Sequence, residues 1–264
     1  MTEWQKRPLL LILTTNVMAT NYNAIAKEYQ ASKLLPWRNH VESHTFFELA
    51  GDLTDLDVLD LACGEGFYTR QIKYRGAAHV TGVDISDGMI QLAQEAEAVS
   101  QLGLRYHCQD VLSLNLDKKF DLICASYLLN YARTSDELYQ MSRVIANHLK
   151  PGGRFITINS NPDYRGVVAM MFPYGFTREN DSYQEGAAIT YRFYQSDASH
   201  IAVTNYHLEK STHETVLQLA GFSEIQWHSV KVSPEGIEAH GRDYWSAILS
   251  WQPIIGLSCV RATG

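Results

Sequence analysis

Cysteine is scarce in this 264-residue chain: four residues, at 63, 108, 124 and 259, with no paired spacing among them. That argues against a disulfide framework and against a zinc site, and reduced thiols and a cytoplasmic location are expected. Runs of Lys and Arg are missing as well, and the net charge is −7. A duplex nucleic acid, which binds to a basic face, is therefore not an expected partner. Long apolar runs are lacking too. Leu9-Leu10-Leu11-Ile12-Leu13, after Lys6-Arg7-Pro8, is only five residues long, whereas a secretory core needs about 7–15 and a membrane span about 20. Residues 1–20 are expected to be a disordered leader, with Met18 as an alternative start, and no membrane partner is expected. The chain holds no internal repeat, no metal-ligand pattern, and no Ser-His-Asp or paired-carboxylate arrangement. Its 45% hydrophobic and 19% charged content is that of an ordinary globular protein rather than a disordered one.

What is present begins with Val58-Leu59-Asp60-Leu61-Ala62-Cys63-Gly64-Glu65-Gly66. It reads as a buried strand running into a Gly-x-Gly turn and then a helix. A second apolar strand, His79-Val80-Thr81-Gly82-Val83, ends on Asp84, eighteen residues past Gly66. Glycines at such a turn let the backbone approach a ligand, and an acid about 20 residues on is placed to accept hydrogen bonds from a ribose. A nicotinamide fingerprint would carry a third glycine where this chain has Thr69. That glycine serves close packing beside a pyrophosphate, so a cofactor without one, S-adenosylmethionine, suits the turn better.

Three segments, Asp60-Leu61-Ala62-Cys63-Gly64-Glu65-Gly66, Gly82-Val83-Asp84-Ile85-Ser86 and Leu149-Lys150-Pro151-Gly152-Gly153, occur in this order. Over roughly residues 40–160 they resemble the successive motifs of class I S-adenosylmethionine-dependent methyltransferases. Phe120 to Ala132 and the pair Tyr244-Trp245 resemble more closely the small-molecule N-methyltransferases of toxoflavin-type biosynthesis. The resemblance implies an α/β, Rossmann-like seven-stranded fold with N-terminal helices, as a single methyltransferase domain over 21–264. It also implies a set of cofactor contacts. Ala62, Gly64 and Gly66 would meet the methionine part, Asp84 the ribose and Ile85 the adenine face, with Met89 nearby. Asp110 and Val111 would meet the adenine edge, and Ala125 and Ser126 the methionine end. Tyr22 and Tyr29 would lie over the cofactor, and Arg38 would pair with its carboxylate through the bidentate fork of a guanidinium. For Tyr22, Tyr29 and Arg38 the alternative is an amphipathic helix with packing tyrosines and a solvated arginine; for Asp110 it is a turn cap.

Along the chain, residues 22–50 read as helices broken at Pro36, with Tyr22, Ile25, Ala26 and Tyr29 at helical spacing. Strands are expected near 57–61, 79–84, 104–108, 120–125 and 154–159, alternating with helices as in a parallel sheet. Thr134-Ser135-Asp136-Glu137 reads as a capping box opening the helix that Pro151-Gly152-Gly153 ends. Residues 161–206 hold nine aromatics. This aromatic-rich insertion, about 160–206, with a hairpin near 189–208, is expected to overhang the carboxyl ends of the strands as a substrate lid. A capped helix from Ser211 and a last strand through Trp227 follow. Asn161-Pro162-Asp163-Tyr164 departs from the Asn-Pro-Pro-Tyr motif of amino-methylating enzymes at its third position and reads as a turn.

The expected function is methyl transfer from S-adenosylmethionine to a small, planar heteroaromatic metabolite, preferably on nitrogen. O-methylation of a small natural product and a non-catalytic S-adenosylmethionine-binding module are the alternatives. Positioning and desolvation can suffice for such a transfer. If a base is needed, Tyr127, His213 and His228 are the candidates, although a histidine is more often a packing or surface residue.

Overall fold

A computed structural model describes residues 22–194 and 199–263 of the chain. The leader expected over 1–20 lies outside the described residues. Seven strands form the main sheet: β1 (Asp57–Leu61), β2 (His79–Asp84), β3 (Arg105–Cys108), β4 (Phe120–Ser126), β5 (Leu149–Ser160), β9 (Phe222–His228) and β10 (Ile254–Arg261). Their order is β3-β2-β1-β4-β5-β10-β9. Beside it stands a three-stranded antiparallel sheet of β6 (Phe176–Asn180), β7 (Ala188–Tyr194) and β8 (His200–Tyr206).

Side chains of a strand alternate between faces, and the sequence uses both. Val58, Leu122 and Cys124 join one apolar cluster, whereas Leu59, Leu61, Ile123 and Ala125 join the other. Strands buried on both sides read as continuous apolar runs, which is why β1, β2 and β4 are legible in the sequence. Helices α3 (Phe67–Tyr74), α4 (Asp87–Ser100) and α5 (Ser135–His148) connect them. Thr134 caps α5, its hydroxyl accepting from the Glu137 amide at 3.2 Å. From β1 the chain moves outward to β2 and β3, then returns to the other side of β1 with β4. In open α/β sheets such a switch point, at the carboxyl ends of β1 and β4, is where ligands bind.

The chain departs from expectation at four places. Pro151-Gly152-Gly153 lies within β5 rather than before it, because Leu149 already pairs with Phe120 and a bulge carries the register to Leu122↔Arg154. Gly153 is required there: a Cβ would come within 2.9 Å of the Lys150 carbonyl oxygen. The segment after Pro36 opens with a π-helical turn, Arg38–Ser43, before α2 (His44–Ala50); α1 (Tyr22–Ser32) precedes it. Helix α6 (Lys210–Leu219) starts at Lys210 behind Glu209, and the Ser211 hydroxyl donates back to the Glu209 carboxylate instead of capping. Finally, Trp227 does not end the sheet. Helices α7 (Pro234–His240) and α8 (Ser246–Trp251) follow, and β10 inserts antiparallel between β5 and β9.

Asn161-Pro162-Asp163-Tyr164 is a turn, with the Asn161 carboxamide oxygen accepting from the Asp163 amide at 3.0 Å. All four cysteines are free; Cys63, Cys124 and Cys259 are buried and Cys108 is exposed. Among the described residues no helix is long and apolar enough to cross a membrane.

Candidate active site

The glycine turn closes β1 at the switch point. Ala62, Gly64 and Gly66 have φ of +53°, +55° and +80°. Positive φ at alternate residues coils the backbone into a tight turn, within which the Gly66 amide donates to the Cys63 carbonyl at 3.0 Å. Asp84 meets this turn from β2. One of its oxygens accepts from the Gly64 amide at 2.8 Å and the other from the Ser86 amide at 2.9 Å. Burial pushes the Asp84 carboxyl above its ordinary range, and those two amides pull back against it. A side chain at Gly66 would be strained at φ +80°, and its Cβ, 2.4 Å from the Tyr106 hydroxyl, would force Tyr106 to shift. Met89, buried at the start of α4, faces Gly64, with Sδ 3.9 Å from where a Gly64 Cβ would lie. Ile85, next to Asp84, is 65% exposed.

Two further strand ends join this edge. The Gln109 amide donates to the Asp84 carbonyl at 2.9 Å, pinning the end of β3 beside that of β2. There Asp110 caps the turn Val111–Ser113, accepting from the Leu112 amide at 2.9 Å. So the capping role weighed for Asp110 is present. Ala125 and Ser126 end β4, and the buried Ser126 hydroxyl has no partner among the described residues.

Helix α1 lies across this edge. The Asn23 side-chain oxygen accepts from the Ser86 hydroxyl at 2.6 Å and from the Gly88 amide at 3.0 Å. Tyr22 packs edge-on against Tyr29, with ring centroids 5.3 Å apart, and its hydroxyl bonds that of Tyr131.

Behind α1 sits Glu42, which the sequence reading did not single out. Fully buried, it accepts from Arg38 at 2.6 Å, from the Tyr127 hydroxyl at 2.5 Å and from the Tyr68 hydroxyl at 2.8 Å, with Lys33 at 3.6 Å. Burial raises its pKa, but Arg38, Lys33 and the two hydroxyls outweigh burial and the net shift is downward. Arg38 is thus neither solvated nor free. It is 2% exposed, paired with Glu42, and stacked 4.5 Å from the Trp37 ring and 4.8 Å from the Phe193 ring. Its Nε and Nη2 have no partner among the described residues.

This setting corrects the role weighed for Tyr127. Burial, and then the Glu42 charge, push its pKa well up, so the hydroxyl stays a donor and cannot serve as a base near neutral pH. The two histidines lie elsewhere. His213 is buried on α6, its ring edge-on to Trp227 and bonded to the Glu209 carbonyl, and burial lowers its pKa. On β9, His228 bonds the Ser258 hydroxyl at 2.8 Å. The structure does not bring either of them to the switch point.

Between α1, the end of β4 and the aromatic sheet is a narrow cavity of about 20 Å³. Tyr22, Tyr29, Trp37, Arg38, Tyr127, Tyr131, Tyr191, Phe193, Val203 and Asn205 line it.

Residues 58–153 match the family described as a methyltransferase domain. That part of the chain is similar to a methyltransferase domain. The ubiquinone biosynthesis O-methyltransferase of Coxiella burnetii is 37% identical over 107 residues, 39% of this chain and 44% of that protein. The chain therefore spans less than half the length of that relative. The N-demethylindolmycin N-methyltransferase of Streptomyces griseus is 27% identical over 184 residues, 68% of this chain and 76% of that enzyme. In fold, the chain is similar to an S-adenosylmethionine-dependent methyltransferase from Mesorhizobium loti, with a TM-score of 0.61 at 19% identity, covering 87% of this chain and all of that one. The methyltransferase-domain match runs from β1 into the Pro-Gly-Gly bulge. It leaves out α1, the Arg38–Glu42 turn and the aromatic sheet.

Proposed function

We propose that this chain transfers the methyl group of S-adenosylmethionine to a small, planar heteroaromatic metabolite, preferably on nitrogen. One observation carries the reading: the glycine turn and Asp84 stand at the switch point directly beside an aromatic cavity. The residues fit the cofactor. The tight backbone turn at Ala62, Gly64 and Gly66 allows close approach of its methionine end, and the Asp84 carboxylate suits two ribose hydroxyls. Ile85 offers an exposed apolar face to adenine, flanked by Met89, with Asp110 and Val111 at its edge. Ala125 and Ser126 border the methionine side, and Tyr22, Tyr29 and Arg38 close the site from above.

When bound, S-adenosylmethionine would supply a sulfonium methyl that an acceptor lone pair takes up in line, with S-adenosylhomocysteine as the leaving group. The protein then has to hold the acceptor in line and keep water out. The tyrosines and Phe193 around the cavity do the second. Among the described residues lining it, none is a histidine or a carboxylate. An amine or pyridine-type nitrogen lone pair needs no base for its attack, whereas a ring N–H or a hydroxyl of ordinary pKa does. This favours nitrogen, as does the N-methylating relative. The O-methylating relative supports a second reading, restricted to a hydroxyl acidic enough to ionise unaided.

The test is a transfer assay with radiolabelled S-adenosylmethionine against a panel of heteroaromatic amines, ring N–H compounds and phenols. Turnover of nitrogen acceptors is expected. Turnover of phenols alone would move the assignment to oxygen. Cofactor binding with no transfer to any member would favour a binding module.

A further inference from the structure

The glycine turn has the shape that close approach requires, but its composition works against keeping that shape. Gly64 and Gly66 reach positive φ without steric cost, yet glycine loses more conformational freedom on ordering than any other residue. Ala62, at φ +53°, is strained, and such strain persists only where the surroundings over-determine it. The turn therefore has to be held from outside.

The main chain does part of this. The Cys63 amide donates to the Val83 carbonyl, and the Arg70 amide to the Gly66 carbonyl, each at 3.0 Å. Among the described residues, two side chains from outside the turn bond its backbone. One is Asp84, through the Gly64 amide, and under the proposed reading it has the ribose to hold as well. The other is Arg70, on α3. Its Nη1 donates to the Glu65 carbonyl and its Nη2 to the Glu65 carboxylate, both at 2.6 Å. Glu65 stands between the two glycines and is 4% exposed.

Arg70 is the fourth residue of α3, yet its guanidinium folds back over the start of the helix. Nη1 lies 3.1 Å from where a Gly66 Cβ would stand. A cation there opposes the helix dipole, and the Glu65 carboxylate offsets that cost. One planar fork thus fixes both the main chain and the side chain of Glu65. The peptide joining Glu65 to Gly66 is held at both ends. Its N–H donates to the Cys63 carbonyl and its C=O accepts from Arg70. This peptide cannot rotate without breaking both bonds.

We infer that Arg70 is a positioning residue for the cofactor: by pinning the Glu65 carbonyl it sets the glycine turn in its binding shape before the cofactor arrives. The inference rests on the proposed methyl-transfer reading.

The test compares wild type, Glu65→Gln, Arg70→Lys and the double variant Arg70→Met/Glu65→Gln, each as the full chain. Glu65→Gln keeps the pinned carbonyl, whereas the double variant loses it without leaving an unpaired buried charge. Amide hydrogen exchange at Gly66, Leu59 and Leu61 is read by NMR without ligand, and S-adenosylhomocysteine is titrated by calorimetry. Glu65→Gln should stay within about twofold of wild-type affinity. The double variant should bind about tenfold more weakly, as follows if the turn then holds its shape for roughly a tenth of the time. Its Gly66 amide should exchange faster while Leu59 and Leu61, inside β1, keep their protection. Arg70→Lys keeps the charge but not the fork and should fall between the two. It decides alone if the double variant does not fold, and wild-type affinity there would then overturn the inference. Unchanged Gly66 exchange or unchanged affinity in a folded double variant would overturn it too. So would equal acceleration at all three amides, which would make Arg70 a support of the whole sheet. Failure of the wild type to bind S-adenosylhomocysteine would instead sink the methyl-transfer reading, and the ligand-free exchange would still report whether Arg70 holds the turn.

Discussion

Replacing Glu42 by Gln removes one charge from the centre of the buried cluster while keeping its shape. Arg38, 2% exposed, loses its counter-ion at 2.6 Å. Gln keeps one acceptor oxygen but turns an amide toward groups that are themselves donors, the guanidinium and the hydroxyls of Tyr68 and Tyr127. Breaking a buried ion pair from one side costs about 3–5 kcal/mol. The retained oxygen places this variant near the lower figure, about 3 kcal/mol. At this chain length each kcal/mol lowers Tm by about 2–4 °C, so a fall of about 6–12 °C is expected. The double variant Arg38→Met/Glu42→Gln removes both charges and should be more stable than Glu42→Gln alone, because no unpaired charge stays buried. Urea unfolding of the wild type, both single variants and the double variant measures this. The folded pKa of Glu42 is lowered, so its stabilisation is complete above the unfolded value of about 4.3. It is lost as pH falls through the lower folded value, and the gap between wild type and Glu42→Gln should close in acid. A Glu42→Gln loss under 1 kcal/mol, or a double variant as unstable as the sum of the singles, would refute the reasoning.

Four other perturbations address the rest of the site. Asp60, buried and bonded to the Thr69 hydroxyl at 2.7 Å, has its pKa pushed up by burial to about 7. Its contribution is full below the unfolded pKa and lost as pH rises to the folded value, so wild type should lose stability relative to Asp60→Asn as pH rises from about 4 to about 7, with no further loss above that, as pH-dependent denaturant unfolding would show. A Cβ at Gly82 would lie 2.7 Å from the Tyr106 ring and 2.9 Å from Cys63 Sγ; Gly82→Ala should cost about 1–3 kcal/mol, read from the urea midpoint. Asp84→Ala should weaken S-adenosylhomocysteine binding by roughly 3 kcal/mol, or about 100-fold, with the fold kept; calorimetry giving a change within twofold would remove the ribose assignment. Asn23→Ala unties α1 from Ser86 and Gly88 and should weaken the same binding by about tenfold, or 1.4 kcal/mol. An unchanged affinity would mean that α1 does not help to close the site.

The strands around the switch point were legible because β1, β2 and β4 are buried on both faces and their ends carry glycine and acid at a fixed spacing. The path beyond Trp227 was not. Nothing in Ile254–Arg261 marks it as an antiparallel insertion, since strand order is decided by long-range pairing with β5 and β9. Glu42 was missed for a related reason. A lone glutamate four residues after an arginine looks like a solvent-facing pair, and only the packing of Trp37, Tyr68 and Phe193 around it turns the pair into a buried centre. Asn205 did leave a trace. In Ile201-Ala202-Val203-Thr204-Asn205, alternation puts an amide on the apolar face, and attention to that break would have singled it out. His213 and His228 show the opposite error: residue type suggested chemistry that position does not support.

The central claim, that the glycine turn and Asp84 hold S-adenosylmethionine, is tested most directly by calorimetric titration of the full chain with S-adenosylhomocysteine, with NADH titrated in parallel. The account predicts saturable one-to-one binding of S-adenosylhomocysteine and no heat of binding with NADH. Binding of NADH alone, or of neither ligand, would contradict it.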